Sequence, residues 1–429
     1  MDPAGVTTSG ANHPVAAHRR RILLGATIGN LVEWYDWYIY AALALHFADA
    51  FFPGSDPISA QLQAAGVFAI GFLVRPIGSL VLGHLADRRG RRHTFLVTMW
   101  LMGAGATMIA VAPIHAQVGW ASGIWLLFAR ILQGLAVGGE YGTSISYLIE
   151  SAPPGRRGLW SSMQYVGAMS GQLVALGVLA AFQFFVGEDA LRQGAWRWPF
   201  ALGAAFSLLA FWLRRNMVEP RAFKATATPD HAPACALARY PRQVAMVMAI
   251  TIGGTVAFYA FTTWMHKQLV LEVGLPAIQV TTMLAGSLAI LVLLQPLIGA
   301  LADRIGLRPI LIVFGIVGSV ATVPLFTALA QPHDLPTTFL LVLGGVLLLA
   351  PFTAINAAVK ASLFPPRMRA TGVGLPSAIV VSIFGGTVEV VALGLRSSGL
   401  GHAFPWYVAA CIGVTLVAAF FFRGPSPHR

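Results

Sequence analysis

The stretch GHLADRRGRR occupies residues 83–92, and a weaker copy, GALADRIGLR, occupies residues 299–308. The two copies begin 216 residues apart, which is half of the 429-residue chain. Each copy follows one long apolar run and precedes another, so each is predicted to form a tight polar turn between two membrane spans. A repeat at half the chain length predicts two similar halves. The alternative is a basic loop that only fixes topology.

Both copies combine glycines with charged residues at the end of a span. Gly83 and Gly90 permit close helix packing and a sharp turn where a side chain would clash. Asp87 lies at the C-terminal end of its helix, where the helix dipole disfavours an anion. We therefore expect an arginine or a neighbouring helix N-terminus to hold it. A role in conformational switching is predicted for these residues of the two copies: Gly83, Asp87, Arg88, Gly90, Arg91, Asp303 and Arg304.

The composition indicates a protein embedded in a bilayer. Hydrophobic residues make up 57% of the chain and charged residues only 10%, whereas a soluble chain carries about 25% charged residues. The net charge of +12 could suggest nucleic-acid binding, but 22 of the 28 lysines and arginines fall in segments on one side of the predicted spans. That asymmetry follows the positive-inside rule, so both termini are expected in the cytoplasm and no nucleic-acid partner is expected.

Twelve stretches are long and apolar enough to cross a bilayer, which needs about 20 such residues. They lie near residues 22–48, 59–86, 93–113, 122–149, 158–185, 196–214, 243–270, 277–302, 309–330, 336–361, 369–395 and 403–422. The polar stretch 215–242 is predicted to be a cytoplasmic linker between two six-span halves, 22–214 and 243–422, with cytoplasmic tails at 1–21 and 423–429. Both motif copies are expected on the same side of the membrane, so the halves are predicted to be parallel repeats with a transport path between them.

The first span carries two carboxylates, which are rare inside a bilayer and usually face a water-filled cavity or a partner. Asn30, Glu33, Asp36 and Tyr40 follow a spacing of three to four residues and so share one helix face. Two carboxylates held close together resist simultaneous ionisation, which suits a proton carrier. The alternative is that one of them pairs with an arginine of a neighbouring span and fixes the packing.

Arg75 precedes Pro76 in the second span. It lies 12 residues before Asp87, a rise of about 18 Å in a helix, so it is expected near the middle of the membrane. A planar fork of donors at that depth suits a substrate carboxylate. Neutralisation by Glu33 or Asp36 is the rival interpretation, and the two are compatible, because a substrate anion could displace an internal partner.

Four further stretches carry a family resemblance. They are GNLVEWYDWY (29–38), RPIG (75–78), RILQGLAVGGEYGTS (130–144) and FPPRMRATGVG (364–374). Together with the repeated decapeptide they resemble the metabolite:proton symporter branch of the major facilitator superfamily, over residues 19–422. The resemblance implies an all-α polytopic membrane protein of 12 transmembrane helices in two pseudo-symmetric six-helix bundles. It also implies that Arg130, in the RxxQG element, takes part in proton coupling.

Two sets of candidate site residues follow. The predicted substrate-binding residues are Arg75, Tyr35, Gln133, Gln164, Arg197 and Tyr259. The predicted proton-coupling residues are Glu33, Asp36, Arg130 and Glu140. Two alternatives stay open: Glu140 could be a structural ion-pair partner, and Arg197 could be an interfacial anchor.

The second half has fewer ionisable residues within its spans. Lys267 is expected near the outer end of its span, where it could snorkel to the interface. Glu389 has no partner nearby in the sequence. Coupling is therefore expected mainly in the first half.

The sequence contains no nucleotide-binding, hydrolase or metalloprotease motif, so an enzyme or an ATP-driven machine is not expected. We predict a monomeric secondary transporter of the plasma (inner) membrane that takes up a small dicarboxylate such as 2-oxoglutarate together with protons. No cofactor or metal is expected. The alternatives are another substrate (citrate, shikimate, proline or betaine), an uncoupled facilitator, or a nutrient receptor with the same fold.

Overall fold

The computed structural model describes residues 12–54, 57–89, 91–215, 237–365 and 369–423. Within these ranges the chain forms twelve long helical passes and no strand. We number the passes α1 to α12, and several of them consist of two or three helices in direct succession.

The first half contains α1 (Asn12–Phe51), α2 (Pro57–Leu73 and Arg75–Arg89), α3 (Arg91–Ala110), α4 (Ala121–Ser151), α5 (Arg157–Phe185) and α6 (Arg197–Arg214). The second half contains α7 (Pro241–Tyr259, Ala260–Trp264 and Met265–Leu271), α8 (Ala277–Ile305), α9 (Leu307–Leu329), α10 (Leu335–Leu348 and Ala350–Ser362), α11 (Arg369–Val380, Val381–Gly385 and Gly386–Ser397) and α12 (Phe404–Phe421). Short helices at His115–Val118, Glu188–Ala190, Leu191–Ala195 and Gly401–Ala403 lie between passes.

The twelve predicted spans agree with these passes to within a few residues, apart from α1, whose helix begins ten residues earlier. Ten of the passes, all except α1 and α6, are long and apolar enough by composition to cross a membrane. The predicted linker at 215–242 lies mostly outside the described residues, so its boundaries stay a prediction.

Four passes are interrupted near mid-length. α2 breaks at Val74 and α10 at Leu349, each two residues before a proline that has no amide hydrogen to donate. α7 and α11 each contain a five-residue π-helical segment, a feature that often marks a functional site. Arg75 beside the α2 break, Tyr259 and Thr263 at the α7 break and Val381 at the α11 break line the spaces between the two halves.

Helix α8 ends in a turn at Gly306, whose φ of 92° favours glycine. We call the end of the bundle at this α8–α9 turn, residues 305–307, the motif end, and the other end the opposite end. Gly90, which holds the equivalent place in the first copy, lies outside the described residues.

The two halves contact each other closely at the motif end. A Cβ atom at Gly299 of α8 would lie 2.6 Å from the Gly158 carbonyl oxygen of α5, so glycine is required for this approach. Similarly, a Cβ at Gly142 of α4 would lie 2.3 Å from the Ala370 carbonyl oxygen of α11. Arg369 and Glu150 form an ion pair across the same interface at 3.5 Å. The halves also meet near mid-length, where the Ser382 hydroxyl of α11 donates to the Phe72 carbonyl of α2 at 2.5 Å.

Candidate functional site

A cavity lies between the two halves, with about 590 Å³ of empty space that includes some open solvent. Both halves contribute to its wall, through α1, α2, α4 and α5 on one side and α7, α10 and α11 on the other. The lining residues are Trp34, Arg75, Val137, Gly138, Tyr141, Tyr165, Thr255, Phe258, Tyr259, Lys360, Ser377, Ala378 and Val381. The wall is thus mainly aromatic and apolar, with two cations and a few hydroxyl groups.

Arg75 is the cation from the first half. Its side chain is buried, and its guanidinium carbon lies 3.9 Å from the Phe72 ring centre and 4.1 Å from that of Trp37. Two of its nitrogens, Nε and Nη2, have no hydrogen-bond partner, and no carboxylate within the described ranges forms an ion pair with it. The Tyr259 hydroxyl lies beside this guanidinium and belongs to the same cavity wall. A buried guanidinium with unused donors is equipped to bind an anion.

Lys360 is the cation from the second half, and it is not among the site residues predicted from the sequence. Its Nζ donates to the Tyr141 hydroxyl at 3.2 Å, and the side chain is 1% exposed. The Asn356 amide donates to the same hydroxyl at 3.1 Å. The residue lies near the end of α10, where lysine is usually an interfacial anchor, so only its tertiary position distinguishes it.

The other four predicted substrate-binding residues do not line the cavity. The Tyr35 hydroxyl donates to the Pro199 carbonyl of α6 at 2.8 Å. Gln133 accepts a hydrogen bond from Arg130 at 2.7 Å within α4. Gln164 of α5 packs against α1, where its backbone carbonyl accepts a hydrogen bond from the Asn30 side-chain amide at 2.6 Å. These three side chains lie behind the cavity wall and not in it, so their substrate-binding roles stay predictions.

Arg197 is the fourth of these residues. Its guanidinium donates to the Ala112 carbonyl at 2.9 Å and lies over the Trp196 ring, toward the opposite end and away from the cavity. This geometry fits the alternative of an interfacial anchor.

Glu33 and Asp36 do not share one set of partners. Asp36 is fully buried against α6, where the Ser207 hydroxyl donates to it at 3.3 Å. Glu33 lies within electrostatic range of Glu140, Arg75 and Arg214 instead. Although the two carboxylates share one face of α1, they meet different neighbouring helices, and their proton-coupling roles stay predictions.

Glu140 has the geometry of the structural alternative. Arg214, the last residue of α6, donates to its carboxylate at 2.6 Å, and the Thr98 hydroxyl donates to its other oxygen at 3.1 Å. All three side chains are buried. The guanidinium of Arg214 also packs against Gly29, where a Cβ would collide with it. The pair therefore joins α4 and α6 beside the middle of α1.

Arg130 lies one layer behind the cavity. Its guanidinium carbon is 4.0 Å from the centre of the Trp37 ring, which contacts Arg75 as well. Trp37 thus lies in contact with two buried guanidinium groups. Asp36 and Arg75 are both within electrostatic range of Arg130, as a coupling residue requires, while its coupling role stays a prediction.

Lys267 and Glu389 form a buried ion pair in the second half, between α7 and α11. Lys267 is 2% exposed and Glu389 is 5% exposed. The expectation that Lys267 snorkels to the interface is wrong, because its charge is compensated within the bundle. Lys267 also lines a second space of about 330 Å³ between the halves, together with Tyr38, Gln172, Thr263 and His266.

Asp303 of the second motif copy holds the N-terminus of a helix in the other half. Its carboxylate accepts hydrogen bonds from the backbone amides of Gly158 at 2.6 Å and Leu159 at 3.0 Å, in the first turn of α5. A carboxylate is favourable there because of the helix dipole and the unpaired amides. This is the kind of contact that was predicted for Asp87.

The first motif copy can be compared only in part. Gly90 is outside the described residues, and so are the side chains at positions 83, 87, 88 and 91, where only the helical backbone is described. The switching roles of Gly83, Asp87, Arg88, Gly90 and Arg91 stay predictions, as does that of Arg304.

Two bundles of apolar helices around a shared, positively charged cavity define a secondary transporter rather than an enzyme. The chain belongs to the Major Facilitator Superfamily, whose family model matches residues 26–375. The fold and family expected from the sequence are both confirmed.

Similar proteins include several transporters. The alpha-ketoglutarate permease of Escherichia coli K12 is 43% identical over 393 residues, which cover 91% of each chain. The citrate-proton symporter of Salmonella typhi is 30% identical over 94% of each chain. A solved structure of the proton:xylose symporter XylE shares the fold with a TM-score of 0.74 at 17% identity, covering 95% of each chain.

Proposed function

We propose that this protein imports a small organic dicarboxylate, with 2-oxoglutarate as the first candidate, together with one or more protons. The observation that carries the proposal is that Arg75 is a buried guanidinium in the cavity wall, with two nitrogen donors that have no hydrogen-bond partner. An anion that accepts hydrogen bonds from these donors would bind strongly there. The similarity to the alpha-ketoglutarate permease supports the choice of substrate.

Glu33 is the proposed proton carrier. It is 3% exposed and forms no ion pair in the part of the chain that the structure describes. The nearby pair of Glu140 and Arg214 is already balanced, so Glu33 is the carboxyl in excess. Arg75 lies within electrostatic range of Glu33. A substrate carboxylate on Arg75 would share that positive field with Glu33, so binding of the anion and binding of a proton would favour each other.

The proposed cycle is alternating access of the two halves around the cavity. Asp303 and Asp87 act as latches at the motif end, each holding a helix N-terminus of the other half. Both termini and the linker 215–242 lie in the cytoplasm, since the lysines and arginines concentrate on that side. The protein acts as a monomer in the plasma (inner) membrane.

Other substrates of similar proteins remain the second candidates, namely citrate, shikimate, proline and betaine. Two buried cations in the cavity favour an anion over the zwitterions proline and betaine. An uncoupled facilitator would not need a buried carboxyl such as Glu33 near Arg75, and Glu33 has no ion-pair partner among the described residues.

Uptake into proteoliposomes tests the proposal. Labelled 2-oxoglutarate, succinate, citrate, shikimate and proline are supplied with and without an inward proton gradient, and empty liposomes serve as the control. We expect 2-oxoglutarate to accumulate with the gradient and an uncoupler to abolish accumulation. Uptake that is indifferent to gradient and uncoupler would contradict symport, and uptake of proline alone would contradict the dicarboxylate.

A further inference from the structure

The cavity contains a second buried cation, and it belongs to the other half. Lys360 of α10 is as buried as Arg75 of α2, and both side chains line the same space. Among the described side chains no carboxylate pairs with Lys360. Burying an ammonium group without an anion is unfavourable, so its retention here calls for a compensating partner.

The hydroxyl of Tyr141 lies beside the Lys360 ammonium and can donate a hydrogen bond to an anion bound there. It accepts hydrogen bonds from Lys360 at 3.2 Å and from Asn356 at 3.1 Å. Because both neighbours donate, the hydrogen of the hydroxyl itself is left to donate to a ligand. Ser377 also lines the cavity, is fully buried and has an unpartnered hydroxyl oxygen. The second half therefore presents the Lys360 ammonium and the Ser377 hydroxyl to this space, and the first half adds the Tyr141 hydroxyl.

A purely structural role for Lys360 is the rival explanation, in which it only ties α10 to α4 through Tyr141. Lys267 shows how the same chain neutralises a buried lysine when the role is structural, since Glu389 pairs with it. Within the described ranges Lys360 has no carboxylate partner, and its Nζ donates to a neutral phenol whose ring centre is 5.5 Å away. A hydrogen bond to a phenol does not compensate a buried charge.

We infer that Lys360 is the anchor for the second carboxylate of the substrate, so that a dianion is held by Arg75 of one half and Lys360 of the other. This inference rests on the proposed transport function and names the residue that sets its preference for dicarboxylates. A monocarboxylate engages Arg75 only. A dianion bridges the two halves and favours their closed arrangement around it.

The test uses the full-length protein in proteoliposomes with two labelled probes. They are 2-oxoglutarate and 2-oxopentanoate, which has the same chain length without the second carboxylate. Hydrogen bonds to charged groups contribute enough for an effect of roughly 10- to 100-fold. We expect Lys360→Gln to raise the half-saturating concentration of 2-oxoglutarate by that factor and to change that of 2-oxopentanoate by less than about twofold.

A structural role predicts a different result, in which Lys360→Gln slows uptake of both probes alike. An unchanged ratio between the two probes would overturn the inference while leaving symport of 2-oxoglutarate intact. If the wild type imported no dicarboxylate, the proposed function would fail instead, and the inference with it.

Tyr141→Phe is the second variant, in case Lys360→Gln does not fold. It removes the hydroxyl that contacts Lys360 and keeps the ring. We expect a several-fold loss of apparent affinity for 2-oxoglutarate, in line with the loss of one charge-assisted hydrogen bond, and little change for 2-oxopentanoate. Equal effects on both probes would again overturn the inference. Abundance in the membrane and the unfolding temperature are measured for both variants.

Discussion

The buried cations of the central cavity differ from those toward the ends of the bundle in whether a carboxylate pairs with them. Arg214 toward the motif end and Lys267 toward the opposite end are each paired with a carboxylate of another helix. Arg75 and Lys360 in the cavity have no such partner within the described ranges. Burial alone therefore does not identify a binding residue in this protein. The binding residues are identified by two features together, a buried cation without a carboxylate partner and a place in the cavity wall.

The difference has a physical reason. A buried ion pair is close to neutral in its net contribution to stability, but removing one partner leaves an uncompensated charge and is strongly destabilising. A pair therefore locks two helices together. An unpaired cation beside a cavity has the opposite property, since its electrostatic interaction is available to a ligand that can leave again. The following variants test whether these two kinds of cation can be separated by experiment.

The largest effect is expected at the Lys267–Glu389 pair. Lys267→Met leaves a buried carboxylate without its partner and should lower the free energy of unfolding by about 3–5 kcal/mol. The double variant Lys267→Met/Glu389→Gln should recover most of that loss. Thermal unfolding of the purified proteins in detergent measures both. If the double variant were as unstable as the single one, the two side chains would not act as a pair.

Arg75→Lys is expected to have the next largest effect, on transport instead of stability. An ammonium keeps the charge, but it cannot reproduce the planar fork or its contacts with the Phe72 and Trp37 rings. We expect a loss of apparent affinity for 2-oxoglutarate of about 10- to 100-fold, with little change in unfolding temperature.

Arg396→Lys is the matched control for Arg75→Lys. Arg396 lies in α11 at the opposite end, where it pairs with Glu272 at 3.6 Å and is partly exposed. Its replacement should change uptake by less than about twofold, because exposed ion pairs contribute little. Normal affinity in a folded Arg75→Lys protein would contradict the assignment of Arg75 to the substrate.

Asp303→Asn should have the smallest of the three effects. The variant keeps the size of the side chain and removes the charge that holds the N-terminus of α5, a contribution of about 1 kcal/mol. Such a change in the balance between conformations should lower turnover by roughly fivefold, with a modest shift in apparent affinity. The uptake rate is expressed per copy of the protein in the membrane, so that turnover is separated from abundance. A scarce protein with normal turnover per copy would show that Asp303 only supports insertion. Asp87→Asn in the same assay tests the equivalent role predicted for the first motif copy.

The sequence alone determined the membrane class, the twelve spans, the two-half architecture and the position of Arg75 near the middle of its span. These properties depend on the lengths of the apolar stretches, on the asymmetry of the charges and on the repeated motif, all of which can be read directly from the sequence. The presence of two carboxyls in α1 was also evident, and so was the need for partners. Which partner each carboxyl has was not evident, because Glu33 and Asp36 meet different helices.

Only the tertiary structure decided which charges are compensated. Lys267 and Lys360 are both lysines near the ends of apolar spans, and nothing local distinguishes them. The carboxylate that neutralises Lys267 lies 122 residues away in the chain, and the hydroxyl that contacts Lys360 lies 219 residues away. Likewise Tyr35, which looked suited to a substrate, donates to a carbonyl 164 residues away. The charge balance of a buried site depends on which helices lie beside each other, and helix packing sets those neighbours across the whole chain.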